Sequence, residues 1–251
     1  MRCFGLIGKS LSHSFSADYL GSRFERERIT DASYQLFPMS DLSGFRAFVE
    51  SKESLCGLNV TIPYKEAIIP FLDHLSDEAK AVGAVNTIAI ERNRSHITLT
   101  GYNTDTYGFS AALTPLLQPH HTRALVLGTG GAAKAVKYVL DQKGIEAASV
   151  SRNEGPGVYA TYGSLTPADI VHFPLIINTS PVGMSPNTDQ APQIPYEAIS
   201  ARHLVFDLIY NPNLTLFLRK AAQQGATTEN GLNMLHLQAD RAWEIWSTLK
   251  M

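Results

Sequence analysis

The sequence predicts a two-domain α/β protein: an N-terminal α/β domain followed by a doubly wound parallel sheet. Three observations carry that prediction. Strand-like and helix-like stretches alternate from about residue 106 onward, the pattern of a parallel sheet with helices on both faces. Residues 124–127 form a short unbroken apolar run that leads straight into Gly128-Thr129-Gly130-Gly131, as a strand buried on both faces would. The character of the chain changes across residues 101–108, which puts one domain at 1–105 and the second at 106–231.

The elements follow in chain order. Residues 3–7 read as a short buried strand closed by Gly8, with a polar loop to residue 16 and a helix from 17 to about 28. A second strand is predicted at 34–37, a helix at 42–50 and a strand at 57–60, which Pro63 limits because proline cannot donate to a ladder. Helical stretches follow at 66–71 and 77–81, then two alternating runs, 87–91 and 96–100, joined as a hairpin through 92–95. In the second domain a helix runs to Leu117 and ends at Pro119. The strand at 124–127 and its glycine loop open the helix 132–142, and further buried strands lie at 147–150, 175–178 and 204–208. The chain closes with an amphipathic helix, 234–249, carrying Leu235, Ala239, Ala242, Trp243 and Trp246 at helical spacing.

Composition narrows the function. With 251 residues, 44% apolar and 18% charged, the chain is long enough for two modest cores and has an ordinary globular balance. A net charge of −2 and no basic stripe argue against a nucleic-acid partner. Cys3 and Cys56 both sit in apolar segments, where reduced thiols are expected. No Cys/His cluster has zinc-ligand spacing, so no metal is expected. The N-terminus lacks a signal-peptide pattern and no apolar run spans a bilayer, so the expected location is cytoplasmic and no membrane partner is expected.

Gly128-x-Gly130-x-x-Ala133 matches a dinucleotide-binding fingerprint and stands where that motif must, after an apolar strand and at a helix start. Small residues admit a pyrophosphate close to the backbone, and the helix N-terminus offers free N–H groups to it. The end of the next strand distinguishes the cofactors. NAD enzymes usually place a carboxylate there for the ribose hydroxyl. This chain has Ser151-Arg152-Asn153, and arginine can pair with a 2′-phosphate. The expectation is NADP(H).

The other motifs are weaker singly. Ser14 and Ser16 could present two hydroxyls to a carboxylate, or could belong to an ordinary serine-rich turn. Asn59 and Thr61 share one face of a strand end, and Lys65 follows a proline turn. Asn103-Thr104-Asp105 precedes Gly108. Lys65 and Asp105 could form a proton-handling pair; each alone reads as easily as a surface charge.

Taken together, in order, the motifs resemble the shikimate dehydrogenase family. The resemblance runs through Gly8 to Ser16, Gly57-Leu58-Asn59-Val60-Thr61-Ile62-Pro63-Tyr64-Lys65, Gly83-Ala84-Val85-Asn86-Thr87 and Gly101-Tyr102-Asn103-Thr104-Asp105 to Gly108. It continues through the glycine loop, Asn178-Thr179-Ser180 to Met184, Asp207 to Thr215, and Gly231-Leu232-Asn233-Met234-Leu235 with Gln238-Ala239. The resemblance implies NADPH-dependent reversible reduction of 3-dehydroshikimate to shikimate, in chorismate and aromatic amino-acid biosynthesis. It implies that Ser14, Ser16 and Tyr210 hold the substrate carboxylate. Thr61, Asn86, Asp105 and Gln238 would bind ring hydroxyls, with Asn59 near the same pocket. Lys65 would be catalytic, paired with Asp105. Gly128, Thr129, Gly130, Gly131 and Ala132 would cradle the pyrophosphate, with Ser151, Arg152 and Asn153 at the 2′-phosphate and Leu208 and Gly231 beside the nicotinamide. The C-terminal helix, 232–251, would complete the first domain so that Gln238 reaches the substrate. The assembly would be a monomer or a homodimer.

The chain departs from the family's usual pattern in places. Lys9-Ser10 stands where Asn-Pro is frequent, Ala17 where Pro is, Thr129 where Ala is and Leu208 where Met is. No further basic residue follows Arg152 closely, so less positive charge would face a 2′-phosphate. Three alternatives share the motifs: a quinate/shikimate dehydrogenase using NAD, an aminoshikimate dehydrogenase, and a non-catalytic NADP-binding regulator with the same fold. Two serines at positions 14 and 16 favour shikimate over quinate, and intact Lys65 and Asp105 favour an enzyme over the regulator.

Overall fold

The computed structural model describes residues 1–11, 15–93 and 96–249. Ser14, proposed from sequence to hold a carboxylate, lies outside them. The chain divides into two compact units, Met1–Tyr107 with Gln238–Met251, and Gly108–Leu237.

The first unit is built on β1 (Arg2–Gly8), α1 (Phe15–Arg26), β2 (Ala32–Pro38), α2 (Phe45–Ser51), β3 (Leu55–Val60), α3 (Tyr64–Ala67), β4 (His74–Leu75), α4 (Asp77–Val82), β5 (Thr87–Asn93) and β6 (His96–Tyr102). Its sheet has the order β2-β1-β3-β5-β6-β4. β1 pairs in parallel with β2 and β3, whereas β5 is antiparallel to both β3 and β6. Alternate residues of β1 serve the two faces. Cys3 and Ile7 join a core with Phe45, Leu58 and Ile88, while Phe4 packs with Leu20, Phe24, Trp243 and Trp246 on the other side. Ser76 caps α4, and Gly83, in the left-handed region at φ 69°, ends it; that conformation favours glycine and turns the chain into Ala84-Val85-Asn86. The β5–β6 strands run further than the sequence suggests, β5 to Asn93 and β6, which starts at His96 as predicted, to Tyr102.

The helix α5 (Asp105–Leu113) leads into the second unit. It stops earlier than predicted: Pro115 converts residues 114–116 to a tighter turn, since proline brings no N–H to an α-helical bond. There follow β7 (Arg123–Leu127), α6 (Gly131–Gln142), β8 (Glu146–Ser151), β9 (Ala160–Thr161), α7 (Pro167–His172), β10 (Leu175–Asn178), β11 (Leu204–Asp207), α8 (Leu216–Gln223), β12 (Thr227–Glu229) and α9 (Leu232–Ser247). The sheet order is β12-β11-β10-β7-β8-β9 with every pair parallel. Counted from the first strand of this unit, that is the doubly wound order 3-2-1-4-5-6. The apolar runs are continuous because both faces are covered. Ala124, Val126, Leu175, Ile177, Leu204 and Phe206 face one core; Leu125, Leu127, Ile176 and Val205 face the other. The sequence reading left 151–174 and 209–231 without assigned elements, and the short β9, α7, α8 and β12 lie there.

The unit boundaries fall inside α5 and α9, at residues 107/108 and 237/238, where the sequence reading put them at 105 and 232. The last turns of α9 belong to the first unit. There Asp240 accepts hydrogen bonds from Tyr19 (2.9 Å) and Arg23 (2.6 Å) of α1.

Candidate functional site

The polar site of the first unit forms where strands end. The register pairs Asn59 with Thr87 and Thr87 with Tyr102. Asn86, one residue before β5, therefore lies at the same sheet end as Asn103, Thr104 and Asp105, which follow β6. β3 ends at that edge as well, and the chain after it passes Thr61 and enters α3 with Lys65. Tyr64 holds that short helix by donating to the Met39 carbonyl at 2.6 Å, and Val85 N–H bonds the Lys65 carbonyl at 2.7 Å.

Lys65 Nζ donates to Asp105 Oδ2 at 2.6 Å, and the two side chains are only 17% and 8% exposed. A short, charge-assisted bond in a poorly hydrated place is strong and geometrically defined. Asn86 Nδ2 donates to the other carboxylate oxygen at 2.8 Å, and its Oδ1 accepts the Thr104 N–H at 2.7 Å. Gln238 Oε1 lies 3.4 Å from both Asn86 Nδ2 and Thr104 Oγ1. Asn59 Nδ2 bonds the Asn86 carbonyl (3.2 Å) and Thr87 Oγ1 (3.1 Å), while Tyr34 donates to Asn59 Oδ1 at 2.7 Å. Burial raises the Tyr34 phenol far above its usual range, so it is a neutral donor. Asn59, Lys65, Asn86, Asp105 and Gln238 thus share one network. Thr61 is half-buried beside it in sequence, its methyl close to Gly8, and Ser16 is half-buried in the first turn of α1. Sequence reasoning missed Tyr34, Thr87 and Thr104. Both threonines stood inside the quoted motifs, but only register reveals what a strand-end hydroxyl touches.

The second unit gathers the other residues. Gly128 has φ +126°, and a Cβ there would lie 2.6 Å from Thr179 Oγ1, so glycine is required on both counts. Nothing lies within 4 Å of a Cβ placed on Gly130, which also begins α6 without any side-chain cap. The helix start is therefore open, and its first N–H groups have no side-chain acceptor at the cap, as a bound pyrophosphate requires. This opening sits between β7 and β10, the point where strand order reverses and ligands of such sheets bind. Thr129 is exposed and Gly131 and Ala132 half-buried; at the end of β8, Ser151 is half-buried and Arg152 and Asn153 are exposed. These residues suit a dinucleotide with a 2′-phosphate.

Two motifs that look separate in sequence are one bonded cluster. The fully buried Asp207 accepts from Thr215 Oγ1 (2.7 Å), Asn178 Nδ2 (2.9 Å) and Ile209 N–H (3.1 Å). Thr215 in turn caps α8. The cluster fixes Leu208, whose carbonyl touches any Cβ placed on Gly231, so these two residues meet. Tyr210 lies just beyond, and burial raises its phenol too.

Burial pushes the Asp207 carboxyl up to about 6, against the hydrogen bonds that lower it. The folded chain keeps this proton where the unfolded chain releases it. The folded state therefore binds more protons between about pH 4 and about pH 6, and stability falls as pH rises through that window. Melting curves across that range should show this slope in the wild type and a flatter profile in Asp207→Asn; equal slopes would refute the assignment.

A family model described as the substrate binding domain of shikimate dehydrogenase matches residues 6–88. The NADP(+)-dependent shikimate dehydrogenase of Desulforamulus reducens is 34% identical, over 97% of this chain and 89% of its own. That of Clostridium perfringens is 38% identical, over 100% and 94%. The crystal structure of the Thermus thermophilus shikimate 5-dehydrogenase, in complex with NADP(H) and shikimate, aligns with TM-score 0.86 at 30% identity, over 99% of this chain and 94% of that one.

Proposed function

The chain belongs to the shikimate dehydrogenase family, and from that premise we propose that it catalyses the NADPH-dependent, reversible reduction of 3-dehydroshikimate to shikimate. The observation that carries this reading is the largely buried Lys65–Asp105 pair at 2.6 Å, joined by Asn86 to Gln238 and Asn59. The first unit binds the substrate and the second the NADP(H). Ser14, Ser16 and Tyr210 take the carboxylate; Asn59, Thr61, Asn86, Asp105 and Gln238 take the ring hydroxyls. The uncapped start of α6 supports pyrophosphate binding by the glycine loop. Ser151, Arg152 and Asn153 take the 2′-phosphate, and Leu208 and Gly231 flank the nicotinamide. The setting is cytoplasmic, a reading supported by two free thiols, Cys3 and Cys56; no helix among the described residues is long and apolar enough to cross a membrane.

Bound NADPH supplies the hydride. The Lys65 ammonium, held by Asp105, sits where its charge stabilises the negative oxygen that forms as the ketone is reduced. Lys65 then gives that oxygen a proton from Nζ, becomes the neutral amine and regains a proton from solvent. Shikimate oxidation runs the same transfer backward, with the amine as base. Asp105 accepts from both Lys65 and Asn86 and so fixes where the ammonium lies.

The test is nicotinamide absorbance with shikimate and quinate, each with NADP+ and NAD+. Fast turnover with shikimate and NADP+ alone is the expected result; equal turnover with quinate or NAD+ would overturn the substrate or cofactor assignment. Arg152→Ala should raise KM for NADP+ roughly tenfold, the scale of one charged pair with phosphate, while leaving KM for NAD+ nearly unchanged. Equal effects on both nucleotides would remove Arg152 from the 2′-phosphate site.

A further inference from the structure

The groups touching Lys65 are the near end of a longer polar path. We propose that Thr87 is a positioning residue for the Lys65–Asp105 pair, acting through Asn86 as the middle link of a one-way hydrogen-bond chain that begins at the Tyr34 hydroxyl. The inference rests on reading Lys65 and Asp105 as the proton-handling pair and adds a residue that the motif roles above do not include.

The direction of the chain follows from groups that have only one role. Asn59 Nδ2 faces the Asn86 carbonyl at 3.2 Å, which can only accept, so Asn59 Oδ1 is the atom that receives the Tyr34 proton. Asn86 Oδ1 receives the Thr104 main-chain N–H, which can only donate, so Asn86 Nδ2 is the atom facing Asp105. Between these two oriented amides stands Thr87 Oγ1. It accepts from Asn59 Nδ2 at 3.1 Å, and its single proton goes to Asn86 Oδ1 at 3.1 Å or to Thr104 Oγ1 at 3.2 Å. Thr104 Oγ1 accepts from Asn86 Nδ2 and can pass its own proton to Asn86 Oδ1 at 3.2 Å or to Gln238 Oε1 at 3.4 Å, so the bond from Thr87 to Asn86 Oδ1 is the direct link to Asn86. Along that direct link the donors all point one way, from Tyr34 through Asn59, Thr87 and Asn86 to the carboxylate. Aligned hydrogen bonds polarise one another, so the last N–H bond to Asp105 Oδ1 is strengthened. With Oδ1 held, Oδ2 is left to Lys65.

Thr87 is fully buried, as Asn59, Asn86 and Thr104 nearly are, so water does not substitute for its hydroxyl. Valine keeps the β-branched shape and neither accepts nor donates. Serine keeps the hydroxyl and loses only a methyl group. A hydroxyl with a purely structural role registers in stability; a positioning hydroxyl registers in turnover.

The experiment compares wild type, Thr87→Val, Thr87→Ser and Tyr34→Phe by steady-state kinetics with shikimate and NADP+, by thermal melting, and by proton–nitrogen spectra of the side-chain amides. Thr87→Val should lower kcat roughly tenfold, with KM for shikimate changing less than about threefold, the scale expected when one link of a buried network is lost. Thr87→Ser should keep at least about half the wild-type kcat, and Tyr34→Phe, which removes only the head of the chain, should fall between the two. The Asn86 amide proton that faces Asp105 should move upfield in Thr87→Val and return in Thr87→Ser. The proposal is overturned by an unchanged kcat in Thr87→Val, by a serine variant no better than valine, or by a loss confined to KM or to melting temperature. If valine prevents folding, Tyr34→Phe carries the same comparison. If the wild type turns over neither substrate with either nucleotide, the catalytic reading fails on its own, and the Asn86 amide shift still decides whether Thr87 acts on Asp105.

Discussion

Replacing Lys65 by alanine should lower kcat roughly a thousandfold, within the range spanned by loss of a general acid–base group. Two contributions disappear together: the proton that the developing oxygen receives and the positive charge beside it. Lys65→Arg separates them. Arginine keeps a charge at this place but holds its proton too tightly to give it up at working pH, so it should recover only part of the loss. Asp105→Asn should also lower kcat, because the amide no longer attracts or fixes the ammonium. Since removing one partner of a largely buried ion pair leaves the other uncompensated, each variant must first melt as a folded protein. Asp105 keeps its bond from Asn86 at 2.8 Å, which favours a folded Lys65→Ala. Near-normal turnover in a folded Lys65→Ala would remove Lys65 from the chemistry.

That pair also shows what a sequence reveals and what it conceals. Lys65 and Asp105 lie 40 residues apart, and no local pattern joins them; only the order of the surrounding motifs suggested that they meet. The glycine loop was legible because its physics is local: an apolar strand, a forced positive φ at Gly128 and a helix start within a few residues. The parallel sheet was legible for the same reason, as Leu125 and Val126 must face opposite cores when both faces are covered. Thr87 was not legible as more than a motif letter. Its role depends on the register that sets it opposite Asn59 and beside Tyr102, and register is a tertiary property. Asp207 and Thr215 were read as motif letters, yet their meaning is a buried carboxyl locked to Asn178 from a different strand. Short elements with few apolar residues, such as β9 and β12, gave no periodic signal at all.

Trp246→Ala should destabilise the first unit by about 3–5 kcal/mol, the range for truncating a buried tryptophan. Trp246 is 2% exposed and stacks on Phe4 with ring centroids 4.9 Å apart. Its Nε1 donates to the Ile88 carbonyl at 3.0 Å, so alanine also removes a buried hydrogen bond to β5, which adds to the cost. The ring fills the space over Gly57, where any Cβ would collide with it; Gly57→Ala attacks the same contact from the sheet side and should destabilise in the same direction. The consequence reaches the site because Trp246 and Gln238 share α9. Eight residues of helix separate them, about 12 Å along the axis, and the ties of Asp240 to Tyr19 and Arg23 lie between. With its aromatic end loosened, the helix should hold Gln238 less firmly against Asn86 and Thr104, raising KM for shikimate more than it lowers kcat. Urea unfolding and steady-state kinetics on the same variant read both effects. A loss below about 1 kcal/mol, far under the range for such a truncation, would mean that α9 is held by its Asp240 ties and not by the aromatic cluster; a full loss of stability with KM unchanged would mean that Gln238 keeps its place without it.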